Sequence, residues 1–214
     1  MLGFYNYSVI LTYLGLASSI FGITQVIEVY KGQGNYSIAF LCLLFSGLCD
    51  MFDGRVARTK KNRTEREKIF GIQIDSLCDL VCFGVFPGIL GYSFGFNYGL
   101  GLASAIVIIL AGVIRLGYFN TVEQERQKAT TEKRHEYRGL PVTTVAIILP
   151  IIYIAKGLVG KDLFPFIFQI CLILIGLLFL IKKFRVRKPQ LLGVILLILI
   201  GFLIIIGFIK GQLN

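Results

Sequence analysis

The sequence predicts an all-α, polytopic membrane helix bundle. Of its 214 residues, 56% are hydrophobic and only 16% are charged, whereas a soluble domain carries about 25% charged residues. No charged residue precedes Glu28, and none lies between Asp79 and Arg115. Because a membrane-spanning helix needs about 20 apolar residues, these stretches predict several spans. One membrane domain accounts for residues 1–214.

Seven apolar segments are expected to span the membrane. They cover residues 7–29, 36–58, 70–93, 98–119, 140–157, 163–181 and 190–209. The uncharged run before Arg115 is too long for one helix, and turn-forming residues at 94–99 divide it. The first segment lacks a basic start and a clear cleavage site, so it is expected to be a permanent span. The fifth is short and contains Pro150, which a membrane helix tolerates when neighbours satisfy the freed carbonyl.

The basic residues predict the orientation of the bundle. Eighteen of the 22 Lys and Arg residues lie in or beside the connections that follow segments 2, 4 and 6. Since Lys and Arg favour cytoplasmic loops, a cytoplasmic N-terminus places all three connections on the cytoplasmic face of the cell membrane. The net charge of +10 then reflects topology and attraction to the anionic headgroups of the lipid bilayer. No nucleic-acid-binding motif accompanies these residues, so nucleic acid is not an expected partner.

Four aspartates stand inside segments 2 and 3. A carboxylate within a membrane is costly unless it is paired or bound to a metal. Asp50 and Asp53 are three residues apart, and Asp75 and Asp79 are four apart, so each pair lies on one face of its helix. A short connection makes the two helices antiparallel neighbours, with the pairs facing each other across a cleft. Mg²⁺ or Mn²⁺, which prefer oxygen ligands, suit such a carboxylate cluster.

Small residues accompany the aspartates on the same helix faces. Gly47, Gly54 and Ala57 fall near the first pair, and Gly71 falls near the second. Small residues let helices approach closely and leave room for a ligand beside the metals. Arg58 extends this side of the helix and is a candidate for phosphate contact.

Two alternatives compete with a metal site. In the first, the aspartates pair with Arg55, Arg58 or Arg115 in a salt-bridge network at the helix ends, and the glycines only pack. In the second, the chain is a cation transporter, since intramembrane carboxylates also mark ion pathways. A transport pathway predicts acidic residues that continue across the membrane, whereas here they cluster at one end of their segments.

The motif from Asp50 to Asp79 resembles the signature of the CDP-alcohol phosphotransferase family. It reads Asp-x2-Asp-Gly-x2-Ala-Arg-x12-Gly-x3-Asp-x3-Asp, with eight fixed positions. The stretches RLGYFN (115–120) and YRGLPVTTVA (137–146) resemble segments of the phosphatidylserine synthases within that family. LTYLGLASSIFGI (11–23) is similar to the family's first helix around its usual Thr, here Thr12. The resemblance covers about residues 5–150.

The resemblance implies a fold and a set of site residues. It implies a homodimer with a six-helix core, to which the seventh segment would add a C-terminal helix. Two divalent ions, Mg²⁺ or Mn²⁺, would be bound by Asp50, Asp53, Asp75 and Asp79, with Asp79 also acting as general base. The CDP moiety would be bound by Asp50, Gly54, Ala57, Arg58 and Gly71.

The resemblance also implies the substrates. The donor would be CDP-diacylglycerol and the acceptor L-serine, giving phosphatidylserine and CMP. Arg115 and Arg138 are candidates to bind the acceptor, with Asn120 in support, although each Arg could instead be a snorkelling residue at the interface. Tyr118 stands where these synthases more often carry Arg, so one anion contact is missing. Glycerol 3-phosphate and inositol phosphate therefore stay open as alternative acceptors.

Overall fold

A computed structural model of the chain describes residues 7–60, 64–95, 98–129, 136–160, 162–181, 185–187, 201 and 206. Within these residues the helices are α1 (Ile10–Val29), α2 (Tyr36–Thr59), α3 (Glu65–Leu80), α4 (Phe86–Ser93), α5 (Tyr98–Ala129), α6 (Val145–Ile154), α7 (Lys156–Val159) and α8 (Phe164–Phe179). Two short strands are β1 (Glu136–Arg138) and β2 (Arg185–Arg187). A π-helical turn over Val81–Val85 joins α3 to α4 without a break.

The predicted membrane helix bundle is confirmed. Four helical runs in the described part of the chain are long and apolar enough to cross a membrane: Ile10–Val29, Tyr36–Ala57, Glu65–Ser93 and Tyr98–Arg126. Two shorter apolar stretches follow, Val142–Ile154 and Phe164–Phe179. Each of the first six predicted segments overlaps one of these runs. The seventh segment, 190–209, lies outside the described residues except for positions 201 and 206.

Two helices extend beyond their predicted apolar segments. α3 begins at Glu65 rather than near residue 70, because Thr64 and Glu67 form a capping box. In that box the Glu67 N–H donates to Thr64 Oγ1 at 3.2 Å, and the Thr64 N–H donates to the Glu67 carboxylate at 2.9 Å. α5 continues to Ala129 rather than ending near residue 119. Its last turns are polar, and there Arg126 pairs with Glu123 at 2.6 Å.

The fifth segment is divided into three pieces. A 3₁₀ turn over Val142–Thr144 precedes α6, and the single turn of α7 follows it. Pro150 lies inside α6 without ending it. The sequence analysis also did not predict the two strands, in which Tyr137 stands opposite Val186 in an antiparallel pair. This pair ties the chain after α5 to the chain after α8.

The C-terminal ends of α2, α5 and α8 lie at one end of the bundle, and we call it the basic end because the sequence that follows each of them is rich in Lys and Arg. α1 starts there, since the hydroxyl oxygens of Tyr7 and Thr59, the last residue of α2, are 3.0 Å apart. α8 finishes there, because β2 pairs with β1 beyond the end of α5. The described helix ends that border these three connections therefore share one face of the bundle.

The opposite end is closed by packed aromatic rings, and we call it the aromatic end. The rings of Tyr36 and Phe94 stack at a centroid distance of 4.7 Å, and those of Phe40 and Tyr153 at 4.4 Å. The hydroxyl of Tyr36 also donates to the Ser93 carbonyl at 3.0 Å, at the C-terminus of α4. Stacked rings of this kind add about 0.5–1.5 kcal/mol per pair beyond their buried area. The aromatic end thus joins α2, α4 and α6.

Candidate metal centre

The four aspartates of α2 and α3 converge near the basic end of the bundle. One carboxylate oxygen each from Asp50, Asp75 and Asp79 lies within 4.8 Å of the others. The carboxyl of Asp50 is within hydrogen-bonding reach of Asp79, and that of Asp53 is within reach of Asp75. The two helices therefore present their carboxyl groups in antiparallel order, as the spacing within each pair predicts.

The backbone changes its helix type directly after Asp79. The π-helical turn of Val81–Val85 inserts one residue more per turn than an α-helix does, and such turns are frequent at functional sites. The change rotates the helix faces that follow it. One continuous helix can thus direct Asp75 and Asp79 toward α2 and then pack Phe86 into the space that Gly22 leaves on α1.

Asp53 has a partner from a third helix. The hydroxyl of Thr12 on α1 donates to Asp53 Oδ2 at 2.8 Å, and both residues are buried. Because a hydroxyl is neutral, this hydrogen bond orients the carboxylate but leaves its negative charge uncompensated. The sequence places Thr12 in the first helix, but no local pattern connects it to Asp53.

The described ion pairs do not include the aspartates. In the described part of the chain, Lys or Arg pairs with glutamates: Lys31–Glu28, Lys60–Glu67, Lys68–Glu65 and Arg126–Glu123. Arg55 instead lies over the ring of Phe52, 5.6 Å from its centroid. The side chain of Arg58 lies outside the described residues. The described contacts therefore give no support to a salt-bridge network around the aspartates.

The carboxylate set fits a hard divalent cation. Mg²⁺ binds oxygen ligands at about 2.0–2.1 Å, so neighbouring ligand oxygens around one ion lie about 3 Å apart and opposite ones about 4 Å apart. The oxygens of Asp50, Asp75 and Asp79 lie within 4.8 Å of one another, which is close to the spacing of opposite ligands around one ion. An all-oxygen donor set suits Mg²⁺ or Mn²⁺ better than the soft metals that thiolates select.

The small residues near the aspartates divide into two groups. A Cβ added to Gly47 would lie 2.6 Å from that of Ala146 on α6, so Gly47 serves helix packing. A Cβ added to Gly54 would meet nothing within 4 Å, and Gly54 is exposed. Gly54 therefore borders open space beside the carboxylates, as room for a ligand requires. Ala57 and Gly71 are half-buried on α2 and α3.

Asn120 is tied to the helix that carries the second aspartate pair. Ser76 Oγ donates to Asn120 Oδ1 at 2.7 Å, which joins α3 to α5. Ser76 directly follows Asp75 in the chain, so Asn120 contacts α3 at a residue that neighbours the carboxylate cluster in sequence. Ser76 was not among the predicted site residues. The signal available was its position between two aspartates of one helix, three residues before Asp79.

Arg115 and Arg138 lie on two elements that meet at the basic end. Arg115 is only 6% exposed, which argues against the interpretation that it snorkels to the interface. Its guanidinium packs against Gly139, where an added Cβ would lie 2.9 Å from Nη1. Gly139 also has a φ of +84°, which side chains rarely adopt. For Arg138 the structure describes only the backbone, which pairs with Arg185.

A known protein family accounts for this arrangement of aspartates in a membrane helix bundle. The model of the CDP-alcohol phosphatidyltransferase family matches residues 5–182. The chain belongs to this family. No solved structure matches it.

Several curated members of the CDP-alcohol phosphatidyltransferase family resemble the chain. It is 32% identical over 162 residues to the CDP-diacylglycerol–serine O-phosphatidyltransferase of Saccharomyces cerevisiae, with 72% of this chain and 57% of the yeast protein covered. It is 33% identical over 136 residues to the Helicobacter pylori protein of the same name, with 62% and 52% covered. It is 32% identical over 125 residues to the archaetidylserine synthase of Methanothermobacter thermautotrophicus, with 57% and 48% covered. The chain spans about half the length of these relatives.

We expect divalent cations to stabilise the wild-type chain and to lose this effect in Asp75→Asn. A ligand that binds only the folded state adds about 2.7 kcal/mol of stability at 100 times its Kd. Without metal, the variant should unfold at a higher temperature than the wild type, because one of the repelling carboxylates is gone. Thermal unfolding in detergent, with Mn²⁺ or with EDTA, measures both effects.

Glu28→Gln is the matched control for that substitution, since it also removes one carboxylate charge, and Glu28 pairs with Lys31 near the C-terminus of α1. It should keep the wild-type response to Mn²⁺. An equal rise in unfolding temperature for Asp75→Asn and the wild type would contradict the assignment of Asp75 as a ligand.

Proposed function

We propose that this chain transfers the phosphatidyl group of CDP-diacylglycerol to the hydroxyl of L-serine, giving phosphatidylserine and CMP. The observation that carries the proposal is the convergence of Asp50, Asp75 and Asp79 inside a helix bundle of the CDP-alcohol phosphatidyltransferase family. The names of the matched relatives, serine O-phosphatidyltransferase and archaetidylserine synthase, support serine as the acceptor.

A lipid-linked donor suits a polar site near the end of an apolar bundle. The acyl chains of CDP-diacylglycerol would stay in the bilayer while its diphosphate reaches the aspartates. The open space beside Gly54 supports a pocket for the CDP moiety, with Ala57, Arg58 and Gly71 as its other proposed contacts. The basic connections at this end would attract the anionic diphosphate.

Two divalent ions, Mg²⁺ or Mn²⁺, would be held by Asp50, Asp53, Asp75 and Asp79. When bound, they supply charge neutralisation to the diphosphate and stabilise the CMP leaving group. The contribution of the chain is to hold the carboxylates on two helices, with Asp53 further oriented by Thr12. Carboxylates placed in this way need little rearrangement when the donor arrives.

Asp79 would act as the general base. It would accept the proton of the serine hydroxyl as the hydroxyl oxygen attacks the phosphorus attached to diacylglycerol. The bond from that phosphorus to the CMP oxygen breaks, and CMP leaves with the bonding electrons. We propose a single direct displacement, which inverts the configuration at phosphorus, because the carboxylate cluster contains no separate nucleophile.

The side chain of Asn120 is suited to hold the carboxylate of the acceptor. Its Oδ1 is occupied by the hydroxyl of Ser76, so the amide nitrogen directs both of its N–H donors away from Ser76. Two N–H donors on one amide match the two oxygens of a carboxylate. Arg138 and the buried Arg115 are the proposed cations of this subsite, and Gly139 places them on adjoining pieces of chain.

We also propose that the basic end faces the cytoplasm, with the N-terminus on the same side of the plasma membrane. Eighteen of the 22 basic residues lie at or beside the connections of this end, and such residues favour the cytoplasmic side. Serine and CTP-derived donors are made in the cytoplasm. A homodimer is part of the proposal and rests on the family resemblance.

The direct test is CMP release from CDP-diacylglycerol by the purified chain. L-serine, glycerol 3-phosphate and inositol phosphate are offered separately, with Mn²⁺ or Mg²⁺ and then with EDTA. We expect release with serine alone, its loss in EDTA, and a loss of at least about 100-fold in Asp79→Asn, since a general base typically contributes that much or more. Release with another alcohol would contradict the assignment of serine as the acceptor but would leave the proposed metal site in place. If the folded, metal-loaded protein releases no CMP with any of the three alcohols, the proposed transferase activity is wrong.

We expect Asn120→Ala to raise the KM for the active alcohol by about tenfold, because a hydrogen bond to a charged group contributes about 1.5 kcal/mol or more. The KM for CDP-diacylglycerol should stay near its wild-type value. Ser76→Ala should act in the same direction with a smaller effect, since it only releases the orientation of Asn120. Steady-state kinetics with each substrate varied in turn measures the two constants.

Thr121→Ala is the control for the Asn120 variant. Thr121 is the next residue on α5, and its hydroxyl donates to the Gly117 carbonyl of the same helix at 3.0 Å. Its kinetics should match the wild type. A rise of both KM values together in Asn120→Ala, or a fall in kcat alone, would argue against a contact with the acceptor.

A further inference from the structure

The buried face of α1 is a regular seam that packs against α2. Its buried residues, Thr12, Gly15, Ser19, Gly22 and Val26, follow one another at alternating steps of three and four. This spacing keeps one narrow stripe of a helix against its neighbour. Four of the five are small or hydroxyl-bearing, which permits close approach and hydrogen bonds between membrane helices.

Specific contacts fix the register of that seam. A Cβ added to Gly15 would lie 3.2 Å from Cys49 Cβ, so α2 passes close to the α1 backbone there. The hydroxyls of Ser19 and Ser46 are 2.8 Å apart, and Ser46 Oγ donates to the Gly15 carbonyl at 2.8 Å. These contacts resist sliding or rotation of α1 along α2.

Thr12 is the seam residue nearest the basic end. Its hydroxyl donates to Asp53 Oδ2 at 2.8 Å, between two side chains that are 8% and 7% exposed. The same carboxyl also lies within hydrogen-bonding reach of Asp75 on α3. A carboxylate without this donor would rotate about its Cβ–Cγ bond and present either oxygen.

We propose that Thr12 is a positioning residue of the metal centre, through which the α1–α2 seam fixes the oxygen that Asp53 presents to the divalent cation. The inference rests on the proposed metal chemistry. Partners that orient a ligand from outside the first coordination sphere typically contribute 10–100-fold, by order of magnitude, to metal affinity. Thr12 touches neither metal nor substrate in this account, and it acts only through Asp53.

The test measures Mn²⁺ affinity without substrate, from the EPR signal of free Mn²⁺ during titration of the purified full chain. Thr12→Val removes the hydroxyl and keeps the shape of the side chain. We expect it to weaken Mn²⁺ binding by about tenfold or more, whereas Thr12→Ser, which keeps the hydroxyl, should stay near the wild type. Thr12→Ala provides a second variant without the hydroxyl.

Thr24→Val is the matched control on the same helix. Its hydroxyl donates to the Phe21 carbonyl of α1 itself at 2.7 Å and is exposed, so its removal should leave Mn²⁺ affinity unchanged. Thr12→Val with wild-type affinity would overturn the inference, and so would equal weakening in Thr12→Val and Thr12→Ser. If Thr12→Val and Thr12→Ala both fail to fold, Thr12 is a folding residue and the inference is wrong. A wild-type chain that binds no Mn²⁺ would instead overturn the metal centre itself.

Discussion

Repulsion among four carboxyl groups held inside an apolar bundle is the constraint on which the basic end of this structure depends. Asp50, Asp75 and Asp79 converge within ligand distance of one another, and Asp53 reaches Asp75. Low-polarity surroundings strengthen that repulsion, and the described ion pairs bring no Lys or Arg among the aspartates. The arrangement is therefore costly, and a bound cation would offset that cost. In the proposed chemistry, the same crowding of carboxylates would provide affinity for divalent cations and, through them, for a diphosphate.

The rest of the bundle can be understood as support for that cluster. The aromatic end provides rigidity through stacked rings and hydrogen bonds to the Ser93 carbonyl. The seam between α1 and α2 holds the first aspartate pair in register, and the π-helical turn lets the second pair face it. Gly54 leaves open space beside the carboxylates. The helices pack closely along the α1–α2 seam, whereas the space beside Gly54 is open, as the proposed CDP pocket requires.

Helical periodicity and hydropathy predicted the part of this structure that depends on local sequence. The convergence of the aspartates follows from their steps of three and four, and the first six helical segments follow from apolar runs. Hydropathy did not predict the start of α3, because the capping box that begins this helix is polar and lies outside the apolar segment. The three-residue strands are too short to show an alternating pattern.

The contacts that sequence analysis missed depend on how helices rotate against one another. Thr12 meets Asp53 across 41 residues, and Ser76 meets Asn120 across 44. No local pattern specifies which faces of α1, α3 and α5 turn toward the cluster, because close packing of glycines and hydroxyls decides it. Both partners of each pair were visible as polar residues in apolar helices, but their pairing required the tertiary structure.

The most direct test of a carboxylate-held metal centre is anomalous diffraction from crystals of the full chain grown with Mn²⁺. The account predicts two anomalous peaks, about 3.5–4 Å apart as in two-metal phosphoryl-transfer sites. Both peaks should be bound by oxygens of Asp50, Asp53, Asp75 and Asp79. Peaks bound elsewhere in the chain, or none between α2 and α3 at saturating Mn²⁺, would contradict it.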